Sequence, residues 1–114
     1  MDECIFCRIL RGEIPADVVY RDEHVTAFRD IEPMAPVHVL VIPNEHLASM
    51  QDVEERHEPT MGRLLRAARL VAESEGVSEL GYRVTINTGR NGNQLVPHVH
   101  LHVMGGRVFG WPPG

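Results

Sequence analysis

Apolar and polar positions repeat along this chain with two different periods. Strand-type runs appear in Val18-Val19-Tyr20 and in Val25 to Arg29. These flank the polar run Arg21-Asp22-Glu23-His24 and predict a β-hairpin. His38-Val39-Leu40-Val41-Ile42 predicts a strand that ends at Pro43, and Asn44 is placed to cap a following helical turn. Between these strands, Glu32-Pro33-Met34-Ala35-Pro36 reads as a loop. Tyr82 to Thr88 is a further strand, and His98 to Val103 alternates strictly. Helical spacing appears twice. Ile5, Phe6, Ile9 and Leu10 lie on a short helix within Cys4 to Arg11, stopped by Gly12. Met61, Leu64, Leu65, Ala68, Val71 and Ala72 form one stripe of a helix from about Pro59 to Glu75, with Pro59 at N1 and Gly76 at C′. Strands with one long helix predict an α+β domain with a mainly antiparallel sheet.

The 114 residues, 43% of them hydrophobic, suit one domain spanning 1–114. The start, Met1-Asp2-Glu3-Cys4, is acidic where a signal peptide is basic, and every apolar run is far shorter than the roughly 20 residues of a membrane helix. The expectation is a soluble cytoplasmic protein without a membrane partner. A net charge of −5 argues against a nucleic-acid binder, but a local pocket can still hold a small phosphate. All 11 basic residues are arginine, so no lysine serves as base or nucleophile. Cys4 and Cys7 form a Cys-x-x-Cys pair that reads as two buried thiols or half of a metal site.

The strongest chemical signal is His98-Val99-His100-Leu101-His102. On a strand the three imidazoles share one face, each with an unperturbed pKa of about 6.5. A polar strand face without chemistry accounts for one histidine but not for three at this spacing. A metal held by all three meets a geometric objection. The backbones of His98 and His102 stand roughly 13 Å apart on a straight strand. Ligand nitrogens on one zinc lie within roughly 4 Å. The other reading makes His100 a nucleophile, with one ring nitrogen pinned as a donor and the other bare. Phosphorus suits such an attack, because its charge spreads over oxygens that neighbouring donors hold. The turn-rich loop Thr88-Gly89-Arg90-Asn91-Gly92-Asn93, with Asn87 and Gln94 beside it, offers such donors.

His98-Val99-His100-Leu101-His102-Val103-Met104 resembles the His-x-His-x-His-x-x signature of the histidine triad (HIT) superfamily. The resemblance extends to Cys4-Ile5-Phe6-Cys7-Arg8-Ile9, Gly12 to Ala16, Ala27-Phe28-Arg29-Asp30-Ile31, Ala35 to Pro43, Gly81-Tyr82-Arg83 and Gly105-Gly106-Arg107, ending in Trp111-Pro112-Pro113-Gly114. It covers nearly the whole chain and points to the histidine triad nucleotide-binding branch. That branch implies a sheet of about five antiparallel strands, a long helix, a short N-terminal helix and a homodimer. It implies hydrolysis of purine nucleoside phosphoramidates through a nucleotidyl intermediate on His100. The alternatives are a dinucleoside polyphosphate hydrolase of the same superfamily, or a nucleotide-binding scaffold with incidental activity.

By position, the resemblance assigns phosphate oxygens to His102, Asn87 and Gln94, and ribose hydroxyls to Asp30. It assigns the base slot to Ile5, Phe6, Ile9, Phe28, Ile31 and Leu40. Phe28 and Asp30 are two apart, so ring and carboxylate face one ligand. His38 shares a strand face with Leu40 and is placed to hydrogen-bond into the histidine row. The resemblance also implies a structural zinc on Cys4, Cys7, His46 and His98, a closed tetrahedral set. His24 and His57 lie among polar residues and are expected at the surface. Leu95 stands where relatives carry a hydroxyl, Asn93 where they carry glycine, and Phe109-Gly110 also departs from their pattern.

Overall fold

The structure is a computed structural model and describes residues 4–114. Five strands form one antiparallel sheet in the order β1-β2-β3-β5-β4. They are β1 Val18–Arg21, β2 Val25–Arg29, β3 Val37–Pro43, β4 Tyr82–Ile86 and β5 Leu101–Gly105. Two helices accompany them, α1 Ile5–Leu10 and α2 Glu58–Ser74, with single 3₁₀ turns at Met50–Asp52 and Glu55–His57. The predicted hairpin is β1–β2, with a register shift between Val18 and Tyr20.

The sheet sorts its residues by face, as a period of two requires. Val25, Ala27, Val39, Val41, Leu101 and Val103 pack with Leu64, Ala67, Ala68, Val71 and Ala72 of α2. On the opposite face Phe28, Leu40 and Ile42 pack with Phe6 and Ile9 of α1. Leu40 stands opposite His102, and Thr85 opposes it from the other side. The imidazole row therefore shares its face with the apolar cluster under α1.

Several sequence expectations change. Regular pairing of β5 starts at Leu101, not His98. The preceding segment leaves β3, and its Val99 N–H donates to Leu47 O at 2.7 Å. β4 ends at Ile86 rather than Thr88. Asn44 caps no helix: its amide donates to Asp22 O and accepts from Thr26 Oγ1, tying β3 to the hairpin turn, and Ser49 caps the next helical turn. Leu65 is 57% exposed, because the stripe of α2 centres on Leu64, Ala68 and Val71 and takes Ala67 instead.

His57 is buried, against expectation. Its Nδ1 accepts the Glu54 N–H at 2.8 Å, so the ring folds back over its own 3₁₀ turn and is enclosed where α2 begins. His24 is half-exposed, in keeping with its polar surroundings.

Candidate active site

Hydrogen bonds fix which nitrogen of each ring carries the proton. His100 Nδ1 lies 2.7 Å from the His98 carbonyl oxygen. A carbonyl only accepts, so His100 carries Nδ1–H and keeps a lone pair on Nε2. His38 Nδ1 accepts the Met34 N–H at 3.0 Å, so its own proton is on Nε2. That N–H donates to His102 Nδ1 at 2.9 Å, with Asp30 Oδ2 at 3.4 Å from the same nitrogen. His102 must then carry its proton on Nε2. This N–H is buried and has no acceptor among the described residues. It sits in a ring whose centroid is 4.9 Å from that of His100. The arrangement thus pairs a bare ring nitrogen with an unsatisfied donor. A buried donor left unpaired is costly unless a ligand completes it.

Burial governs the protonation of these rings. It lowers the pKa of His38 and His100 below the ordinary imidazole value and holds His102 at about 4. For His102 the neighbouring His100 and His38 add to the effect, while Asp30 opposes it. The contact of His38 with Asp30 is therefore between a neutral ring and a carboxylate. Asp30, His38 and His102 cluster closely enough to suggest a second metal site. The proton on His38 Nε2 argues against one, since Nδ1 already accepts the Met34 N–H.

The face around the row is apolar. Phe6 meets His100 edge-on at 5.1 Å and Phe28 at 5.4 Å between centroids. Phe6, Ile9, Phe28 and Leu40 are brought together as the sequence predicts, and Ile42 joins them. Ile42 was legible as the residue two beyond Leu40 on the same strand face. Ile5 and Ile31 stand apart at the surface, 47% and 93% exposed. Asp30 follows β2, where its Oδ1 accepts the Glu32 N–H at 2.8 Å.

Asn87 follows β4, half-buried, with no hydrogen-bond partner for its amide among the described residues. Gln94 is different. Its Nε2 donates to Ala48 O at 2.7 Å and Val96 O at 3.0 Å, and its Oε1 accepts the Gly89 N–H. Both amide hydrogens are used inside the protein, so the side chain braces the loop rather than offering a donor to phosphate. Asn93 takes the left-handed backbone that glycine favours, φ 61°, which asparagine tolerates. Leu95 is 81% exposed.

Beside the row lies a second cluster. Cys4, Cys7, His46 and His98 direct one donor atom each to a common point. His98 Nε2 lies 2.9 Å from Pro43 O and so donates, which leaves Nδ1 bare toward the cluster. That Nδ1 is 3.2 Å from His46 Nδ1, 3.3 Å from Cys4 Sγ and 3.6 Å from Cys7 Sγ. His46 Nδ1 is 3.6 Å from Cys4 Sγ and 3.2 Å from Cys7 Sγ. Tetrahedral bonds of about 2.0–2.3 Å put ligand atoms roughly 3.3–3.8 Å apart, so spacing and donor set fit a closed tetrahedral metal centre. Cys4 Sγ also accepts the Cys7 N–H at 3.2 Å, capping α1.

An antiparallel α+β sheet that lines up imidazoles over an apolar slot, with a four-ligand cluster at its flank, defines a histidine triad protein. The chain belongs to the HIT domain family, whose domain matches residues 11–109. It is 50% identical over 109 residues to the purine nucleoside phosphoramidase of Escherichia coli (strain K12), covering 96% of this chain and 92% of that protein. It is 51% identical over 112 residues to the 14 kDa zinc-binding protein of Zea mays, covering 96% and 87%. The crystal structure of a HIT family hydrolase from Legionella pneumophila Philadelphia 1 superposes with a TM-score of 0.96 at 47% identity, covering 98% of this chain and all of that one.

Proposed function

We propose that the chain is a nucleotide hydrolase that cleaves purine nucleoside phosphoramidates through a covalent intermediate on His100. One observation carries this reading: the Nδ1–H of His100 is committed to the His98 carbonyl, leaving Nε2 bare beside the unsatisfied Nε2–H of His102. In the first step His100 Nε2 bonds to phosphorus as the phosphorus–nitrogen bond opposite breaks, and the departing amine takes a proton from solvent. The imidazole becomes cationic, and the His98 carbonyl opposes that charge through the Nδ1–H it accepts. His102 Nε2–H holds a phosphoryl oxygen, and Asn87 offers a second donor. Water then attacks phosphorus, loses a proton to solvent and frees His100.

Phe6, Ile9, Phe28 and Leu40 hold the base, and Asp30 accepts from the ribose hydroxyls. We assign zinc to Cys4, Cys7, His46 and His98. Four protein ligands would leave no open position, so zinc held there would be structural, joining α1 to the segment whose carbonyl orients His100. Supporting this reading are the 50% identity to a purine nucleoside phosphoramidase and the 51% identity to a zinc-binding protein.

The test is rapid quenching with adenosine phosphoramidate, followed by peptide mapping. A nucleotidyl group on His100, with turnover lost in His100→Asn, is the expected result. Near-normal hydrolysis by that variant refutes the nucleophile, and faster turnover of diadenosine tetraphosphate refutes the substrate class.

A further inference from the structure

The proton on His102 Nε2 is decided two hydrogen bonds away, by the backbone N–H of Met34. That N–H occupies His38 Nδ1, which sends the His38 proton to Nε2 and on to His102 Nδ1. Met34 belongs to the exposed loop between β2 and β3 and is itself 65% exposed. Two adjacent residues just after β5 hold this loop. Gly106, at φ +91°, approaches Pro36 so closely that a Cβ there would lie 2.8 Å from the proline ring. Arg107 Nε donates to Met34 O at 3.2 Å. The Arg107 guanidinium lies over the Phe109 ring at 4.2 Å, and Arg83 approaches that ring at 5.2 Å. Arg83 also donates to Gly110 O at 2.8 Å, which ties the segment after Arg107 to β4.

We infer that Arg107 is a positioning residue: stacked on Phe109, it anchors Met34 by its carbonyl so that the histidine relay keeps one tautomer. The inference rests on the reading of His102 Nε2–H as a donor to the phosphoryl group. The carbonyl that Arg107 holds and the amide that bonds His38 lie in the two peptide planes that meet at the Met34 Cα, so anchoring the first narrows the φ and ψ that aim the second. A planar guanidinium suits the task, since it stacks on an aromatic face while an edge N–H donates in plane. Without this hold, His38 is free to carry its proton on Nδ1, and His102 loses the donor that dictates its own tautomer.

The experiment compares Arg107→Met, Arg107→Lys and Phe109→Leu in the full, metal-loaded chain. Side-chain ¹⁵N spectra of the histidines separate protonated from bare ring nitrogens. Arg107→Met is expected to mix the tautomers of His38 and His102. It should lower kcat for adenosine phosphoramidate roughly threefold to tenfold, the scale of a lost orienting hydrogen bond, with little change in KM. Arg107→Lys should recover part of both effects, because it keeps a donor but loses the planar stack, and Phe109→Leu should act in the same direction more weakly. Unchanged ¹⁵N tautomer signals in Arg107→Met overturn the inference whatever the kinetics. Mixed tautomers with undiminished kcat uphold the hold of Arg107 on the relay and overturn the donor role given to His102.

Discussion

Truncating Phe6 tests how the N-terminal helix is held over the histidines. α1 has six residues, too few for an isolated helix to persist in water. Phe6 is 6% exposed and touches three rings edge-on: Phe28 at 5.4 Å, His98 at 5.9 Å and His100 at 5.1 Å. Phe6→Ala removes that packing and leaves a cavity, a loss of about 3–5 kcal/mol for a buried phenylalanine. A domain of this kind has about 5–15 kcal/mol in all. With a urea m-value near 2 kcal/mol/M, the unfolding midpoint should fall by about 1.5–2.5 M at fixed metal content. Should α1 come away as a unit before the rest unfolds, the loss appears instead as faster amide exchange along Ile5–Leu10. Phe6→Leu keeps most of the buried area and gives up only the edge-to-face contacts, about 0.5–1.5 kcal/mol for one such pair. A Phe6→Ala protein with unchanged midpoint and unchanged exchange in α1 would refute the packing of this helix against the histidine face.

Protein prepared without chelator should contain about one zinc per chain, the stoichiometry of a single four-ligand site; metal analysis finding none would remove the zinc. Stripping that metal should speed amide exchange in α1 more than in β2 or β3. Stability should also fall in acid. Burial holds His102 at about 4 and lowers His38 and His100, whereas the unfolded rings protonate near about 6.5. The unfolded chain thus binds more protons as the pH drops from about 6.5 toward 4, so these rings contribute their full stability only above that window. Urea midpoints that stay level between about pH 7 and pH 5 would contradict the burial of these imidazoles.

The fold was legible where short runs of strand-favouring residues lay between turn signals. Val25 to Arg29 and His38 to Ile42 are such runs, and strands form over both. Prediction failed where contacts between distant segments decide. His98 and Val99 keep the alternation, yet Val99 bonds to Leu47 because the strand turns aside toward the cysteines. Polar neighbours in the sequence suggested an exposed His57, but its ring is enclosed by folding back on its own turn. In the site, residue types pointed to the triad, and the family resemblance to the slot and the four-ligand set. They could not reveal the backbone groups that assign the protons: Met34 N–H, Pro43 O and His98 O. Every residue owns such groups, so no side-chain motif reports them. Gln94 shows the opposite error, a polar side chain near the site whose hydrogen bonds are all turned inward.

The two-faced sheet bears on how this chain tolerates inserted or deleted residues. One residue added within β3 or β5 would turn His38 or His102 toward α2 and swing valines out onto the histidine side. Packing and chemistry would fail together, since the same parity serves both. Length changes that leave an active protein should therefore collect in the stretch around residues 89–93 and beyond Phe109, while the strands admit substitutions only.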